Sequence, residues 1–175
     1  MDVRLRPAQE ADLPFFYRWQ EEDGMWERYT SRPVERVRPY GTFRARYLDA
    51  LRSGREVVFT ILADGAAVGR MVAFDENPRN RSVEIGYYLQ QAARGRGIGQ
   101  AALALFCGIL FTWPGRELHK LYATTSADNL GSIAVLERNG FQCDGRLREH
   151  YLIAGAWSDQ LFYSLLRREW EAGRA

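Results

Sequence analysis

The sequence has few of the residues that build metal centres, disulfide frameworks or nucleic-acid-binding surfaces. Its 175 residues include two cysteines and two histidines, scattered without metal-ligand spacing, so no metal site is expected. Cys107 and Cys143 are expected to be buried thiols. Lys120 is the only lysine, and 24 basic side chains nearly cancel 22 acidic ones, so no nucleic-acid partner is expected.

Long apolar runs are also missing. No uninterrupted apolar stretch reaches membrane-spanning length, and no charged-then-apolar leader opens the chain, so we expect a cytoplasmic protein without a membrane partner. Internal repeats, low-complexity tracts and linkers are absent from the sequence as well. At this length the chain is expected to form a single domain over residues 1–175.

Turn signals divide the chain into strands and helices. Asp64-Gly65 separates two strand-like segments, as in a tight hairpin. Asp12 and Asn129 are typical helix N-caps, and Gly140 is a typical left-handed helix end. The resulting order is β-α-α-β-β-β-α-β-α-β-β, with three hairpin-linked strands before a crossover helix. It predicts an α/β (α+β) fold with helices packed on a mixed sheet, not a doubly wound nucleotide-binding fold.

A basic, glycine-rich turn lies between the fourth strand and the central helix. Its residues are Arg94, Gly95, Arg96, Gly97, Ile98 and Gly99. Glycines let the backbone approach a ligand, while arginines and the first N–H groups of a helix bind phosphate. The glycine spacing is not that of a dinucleotide fingerprint, and the lysine of a P-loop is missing. The turn therefore predicts a phosphate-bearing ligand of another class.

Several motifs in order resemble those of the Gcn5-related N-acetyltransferases (GNATs). Residues 94–99 resemble the family's pyrophosphate loop, residues 84–87 the strand before it, and residues 129–141 its late helix, which starts Asn-x-x-Ser and ends Gly-Phe. Residues 145–165 are most similar to the branch of ribosomal-protein N-terminal and spermidine acetyltransferases. The resemblance implies the GNAT fold, a mixed, mostly antiparallel sheet of six to seven strands flanked by about four helices.

The same resemblance implies transfer of acetyl from acetyl-CoA to a primary amine by direct attack. The acceptor would be a protein N-terminal α-amine or a small amine, and the enzyme a monomer or homodimer. An acyl-CoA-binding sensor with little catalysis is the alternative, because Leu136 stands where many relatives carry a tyrosine.

Coenzyme A contacts are implied in three segments. In the family, the end of the strand before the glycine turn pairs with the pantetheine arm, and a backbone amide near Leu89 polarises the thioester. The glycine turn holds the pyrophosphate, and the start of the late helix contacts the pantetheine from the other side. Asn129 has simple N-capping as its alternative role. The implied cofactor-binding residues are Tyr88, Leu89, Gln90, Arg94, Gly95, Arg96, Gly97, Ile98, Gly99, Asn129 and Ser132.

Two residues are candidates for proton transfer. Glu84 interrupts an apolar strand, which favours a general base that also contacts the acceptor. Its alternative is a solvent-facing carboxylate near a basic residue such as Arg70. By resemblance, Ser132 is the general acid for the leaving thiolate, with Tyr163 in reserve.

Residues 21–47 are expected to cover the acceptor side. Trp26 and Tyr29 could pack over a cationic amine drawn by the acidic residues 21–23. Five arginines would instead suit an acidic acceptor, at positions Arg32, Arg36, Arg38, Arg44 and Arg46. Both interpretations stay open at this point.

Overall fold

The computed structural model describes residues 1–22 and 39–174, without the side chains of 20–22. Within these residues the strands are β1 Val3–Pro7, β2 Val57–Ala63, β3 Ala66–Asn77, β4 Ser82–Leu89, β5 Lys120–Ser126, β6 Gln142–Ile153 and β7 Ala156–Leu166. The α-helices are α1 Leu13–Glu22, α2 Tyr40–Ser53, α3 Ile98–Phe111, α4 Leu130–Arg138 and α5 Arg167–Ala172. No helix in this part of the chain is long and apolar enough to cross a membrane.

The strands form one seven-stranded sheet in the order β1-β2-β3-β4-β5-β7-β6. Neighbouring strands are antiparallel except β4 and β5, which are parallel because α3 carries the chain back across the sheet. This confirms the expected mixed, mostly antiparallel sheet. The helices number five in the described residues, since the short α5 follows β7 beyond the expected order.

Strands β4 and β5 separate soon after they meet. Their register runs from Ser82 opposite Lys120 to Glu84 opposite Tyr122 and stops there. Strand β4 nevertheless continues to Leu89, and β5 continues to Ser126. The two strand ends therefore diverge and leave a gap in the middle of the sheet.

Core packing covers both faces of the sheet. Helix α3 lies on one face, where its buried residues pack with Val83, Ile85 and Leu121. Helices α1 and α2 cover the other face through a smaller cluster formed by Leu13, Phe16, Trp19, Tyr47 and Val58. Since side chains alternate along a strand, Glu84 and Tyr88 of β4 lie on the α1–α2 face.

Two local expectations were wrong. Asp12 does not cap α1 but ends a short 3-10 turn, where its buried carboxylate accepts hydrogen bonds from Arg6 at 2.6 and 2.7 Å. The Gln9 amide and Thr60 hydroxyl add further bonds of 2.8 Å. Burial opposes the charged form, but these bonds outweigh it and lower the pKa of Asp12. The second is Cys143, which is exposed at the start of β6 instead of buried.

Candidate active site

A cavity of about 850 Å³ opens where β4 and β5 separate. One wall is the end of β4 with the turn before α3, and the other joins the end of β5, the start of α4 and the β6–β7 hairpin. Among the expected ligand contacts, the lining residues are Tyr88, Leu89, Arg94, Gly95, Gly97, Ile98, Gly99, Asn129 and Ser132. Gln90, Arg96 and Glu84 lie outside the lining.

The turn before α3 has the backbone geometry of an anion site. Gly95 and Gly97 adopt left-handed conformations, with φ of 71° and 78°, which residues with a Cβ rarely adopt. Gly97 is the N-cap of α3 and supplies no side-chain cap, so the N–H groups of the first turn are left for a ligand. Gly99 packs tightly, because an added Cβ would lie 3.2 Å from a methyl group of Leu89.

Arg94 ties this turn to the end of β4. Its Nε donates to the carbonyl of Leu89 at 2.9 Å, and its guanidinium carbon lies 5.5 Å from the ring centre of Tyr88. The arginine therefore positions both strand and turn, and it brings positive charge to this end of the cavity.

The start of α4 joins Asn129, Ser132 and Tyr87. The Oδ1 of Asn129 accepts the Ser132 amide at 3.2 Å, which confirms the N-cap. The Ser132 hydroxyl lies 2.8 Å from the Tyr87 hydroxyl, which also contacts the Ser132 carbonyl at 3.2 Å. Burial raises the pKa of Tyr87 to about 12, so its phenol stays protonated at neutral pH.

Tyr87 was not among the site residues expected from the sequence, although it lines the cavity. A sequence signal did exist, since Tyr87 occupies an apolar-face position of β4 and a buried phenol generally needs a hydrogen-bond partner. That partner, Ser132, follows 45 residues later in the chain.

Glu84 occupies the last paired position of β4 and β5. Its Oε1 accepts a hydrogen bond of 3.3 Å from Thr124, which does line the cavity. Its cross-strand neighbours are Phe74 and Tyr122, whereas Arg70 stands opposite Tyr88. The half-buried carboxylate is therefore connected to the cavity through a threonine hydroxyl.

Other candidates lie elsewhere. Tyr163 belongs to the core, and its hydroxyl donates to Glu137 at 3.0 Å; burial and this carboxylate raise its pKa to about 12. Leu136 is fully buried in the same core. Trp26 and Tyr29 fall outside the described residues.

A mixed sheet that parts beside a glycine turn with the geometry of an anion site is typical of acetyl-CoA-dependent acetyltransferases. The family model for the acetyltransferase (GNAT) domain matches residues 2–142. The chain belongs to this family, which confirms the membership expected from the sequence motifs.

Known proteins resemble the chain in sequence and structure. It is 30% identical over 112 residues to the ribosomal-protein-serine acetyltransferase of Escherichia coli (strain K12), a match covering 63% of this chain and 61% of that protein. The matches to three other curated bacterial relatives span 44–60% of their length.

Two solved structures share the fold. RimJ of Mycobacterium smegmatis, in complex with CoA-disulfide, is 29% identical with a TM-score of 0.81, over 95% of this chain and 83% of that chain. Spermidine N-acetyltransferase of Vibrio cholerae, in complex with CoA and spermine, is 21% identical with a TM-score of 0.85, over 97% and 98%.

Proposed function

We propose that this protein is an N-acetyltransferase that moves acetyl from acetyl-CoA to a primary amine by direct attack. One observation carries this proposal: a single cavity joins the anion-binding turn before α3 to the gap between β4 and β5. Acetyl-CoA has a long amide-bearing arm with a pyrophosphate at its nucleotide end and a thioester at its other end, so its binding needs both the anion site and the gap.

The residues present fit coenzyme A. The turn offers the first-turn N–H groups of α3 to the pyrophosphate, with Arg94 beside them. The diverging end of β4, at Tyr88 and Leu89, offers backbone groups to the amides of the pantetheine arm. Asn129 uses its Oδ1 as a helix cap and keeps its N–H donors for a carbonyl of the same arm.

Glu84 is the proposed general base. An amine acceptor arrives mostly as an ammonium ion and must lose a proton before it can attack. The bond from Thr124 to the Glu84 carboxylate supports this role, because it provides a route from the cavity to the base. Thr124 accepts the proton on its oxygen while its own hydroxyl proton passes to Glu84.

Ser132 is the proposed general acid for the leaving thiolate. Its hydroxyl lines the cavity and contacts the Tyr87 phenol. When Tyr87 donates its one proton to the Ser132 hydroxyl oxygen, at 2.8 Å, instead of to the Ser132 carbonyl, at 3.2 Å, the serine keeps its own proton for the thiolate. The pair thus supplies a donor without the helix tyrosine that Leu136 replaces.

A protein N-terminal α-amine is the first proposed acceptor, and a small amine such as a polyamine the second. The sequence match to the ribosomal-protein-serine acetyltransferase supports a protein acceptor over a small amine. The second candidate function, an acyl-CoA-binding sensor, is favoured only by the buried Leu136 at the family's tyrosine position. A cytoplasmic monomer or homodimer stays a prediction.

The test is release of free CoA thiol from acetyl-CoA with a panel containing spermidine and peptides that begin with alanine or serine. Turnover of any amine supports the transferase, whereas CoA binding without thiol release supports the sensor.

Calorimetric titration with CoA and dephospho-CoA tests the binding turn. We expect Gly97→Glu to abolish binding, because it puts a carboxylate and a strained φ at the N-cap of α3. Full CoA affinity in this variant would contradict the turn assignment.

A further inference from the structure

The cavity wall opposite β4 carries a chain of hydrogen-bonded polar groups. Ser158 Oγ donates to Asp128 Oδ2 at 2.6 Å, and the hydroxyls of Ser158 and Ser126 lie 2.9 Å apart. The Asp128 amide donates back to Ser126 Oγ at 3.2 Å. All three residues line the cavity, the two serines only 8% and 2% exposed and Asp128 exposed.

The direction of these bonds follows from the chemistry of the groups. An ionised carboxylate only accepts hydrogen bonds, so the single hydroxyl proton of Ser158 is donated to Asp128. Ser126 must then donate to Ser158, because neither hydroxyl has a second proton. The chain therefore offers only oxygen lone pairs to the cavity. A ligand that contacts it has to be a hydrogen-bond donor, and the carboxylate favours one with positive charge.

An aromatic residue extends the same wall. Trp157 lines the cavity with 62% of its surface exposed, next to Ser158 and close to the turn of the β6–β7 hairpin. The face of an indole attracts cations. Arg94 lies on the opposite wall as the first residue of the glycine turn, and Arg138 lies about 12 Å along α4 from its start. The carboxylate and the indole thus lie on the wall opposite Arg94.

We propose that Asp128, Ser158 and Trp157 form the subsite that holds the acceptor amine in its ammonium form. This inference rests on the proposed function, and it names the substrate class as a cationic primary amine. The ammonium N–H groups donate to the Asp128 carboxylate and the serine oxygens while the adjacent methylene groups pack on the indole. This wall should not strengthen the binding of neutral nucleophiles or of acidic acceptors.

The test compares a charged and an uncharged nucleophile. Wild-type turnover is measured with the best amine among spermidine and peptides beginning with alanine or serine, and with hydroxylamine, which is uncharged at neutral pH. The uncatalysed reaction of hydroxylamine is subtracted. In Asp128→Asn we expect KM for the amine to rise roughly 10-fold, the loss of one charge-assisted hydrogen bond. KM for hydroxylamine and the calorimetric Kd for CoA stay unchanged.

Ser158→Ala should raise KM for the amine in the same direction, since it breaks the chain without removing charge. Asp159→Asn is the matched control. Asp159 follows Ser158 on β7, but its carboxylate binds Arg146 and the Glu149 amide and does not line the cavity. We expect its KM values to match wild type. An unchanged amine KM in Asp128→Asn, or equal rises for amine and hydroxylamine, would overturn the subsite while leaving the transferase intact. No turnover of any amine by wild type would contradict the proposed function and the subsite with it.

Discussion

Gly69 lies on β3 and packs against the end of β4, which forms one wall of the cavity. It stands opposite Leu89 in the β3–β4 register. A Cβ at this position would lie well inside van der Waals contact with the carbonyl oxygen of Tyr88, 2.9 Å from Leu89 Cδ2 and 3.1 Å from Ile61 Cδ1. Because the first of these atoms is backbone, Gly69→Ala would have to move the end of β4 by about 1 Å.

The expected cost is that of an overpacked site, about 1–3 kcal/mol in the free energy of unfolding. For a domain of this size that corresponds to a fall in Tm of roughly 2–12 °C. The displaced segment is the one proposed to pair with pantetheine, so CoA affinity should fall by roughly 10-fold as well, a loss of about 1.4 kcal/mol. Thermal unfolding and calorimetric CoA titration measure the two effects.

Gly145→Ala is the matched control. Gly145 also lies in a strand, but nothing approaches within 4 Å of the Cβ it would gain, so stability and CoA affinity should stay near wild type. The reasoning fails if Gly69→Ala keeps wild-type Tm and CoA affinity. Lost stability with full CoA affinity would instead show that the end of β4 does not contact the arm.

Three other predictions concern proton transfer and stability. Glu84→Gln should lower kcat/KM by roughly 10²–10⁴-fold, as loss of a general base does, and unchanged turnover with an unchanged pH profile would contradict the assignment. Tyr87→Phe should lower kcat but leave CoA affinity intact, and combining it with Ser132→Ala should add nothing further; additive losses in this cycle would show that the two act separately. Asp12→Asn should cost about 2 kcal/mol of unfolding free energy near neutral pH, because it weakens charged hydrogen bonds. Since folding lowers the pKa of Asp12, this difference should shrink below about pH 4, as the carboxyl protonates, and a difference constant with pH in urea unfolding would exclude the charge as its source.

Turn and helix-cap residues in the sequence predict most of the order of strands and helices. The left-handed residues of the Asp64-Gly65 turn, the Asn129 cap and the Gly140 helix end each depend on neighbours within four positions. Asp12 shows where such reasoning fails. Aspartate is a common N-cap residue, but the Asp12 carboxylate instead accepts hydrogen bonds from Arg6 on the preceding strand and from Thr60, 48 residues along the chain.

The candidate site is harder to predict, because its contacts join distant elements. The glycine turn is contiguous in sequence, and so the proposed phosphate-binding part of the cavity can be predicted. The Glu84–Thr124 and Tyr87–Ser132 bonds span 40 and 45 residues and depend on where β4 stops pairing with β5. No periodicity marks that point.

The short pairing between β4 and β5 also has a mechanical consequence. Three register pairs connect the half of the sheet that holds β1–β4 to the half that holds β5–β7. A ligand lying in the gap would bridge the two halves like an inserted strand, and binding to the folded state alone raises stability with ligand concentration. The resistance of this protein to unfolding and proteolysis should therefore increase with the concentration of its proposed acyl donor, with amide hydrogen exchange slowing first along the facing ends of β4 and β5.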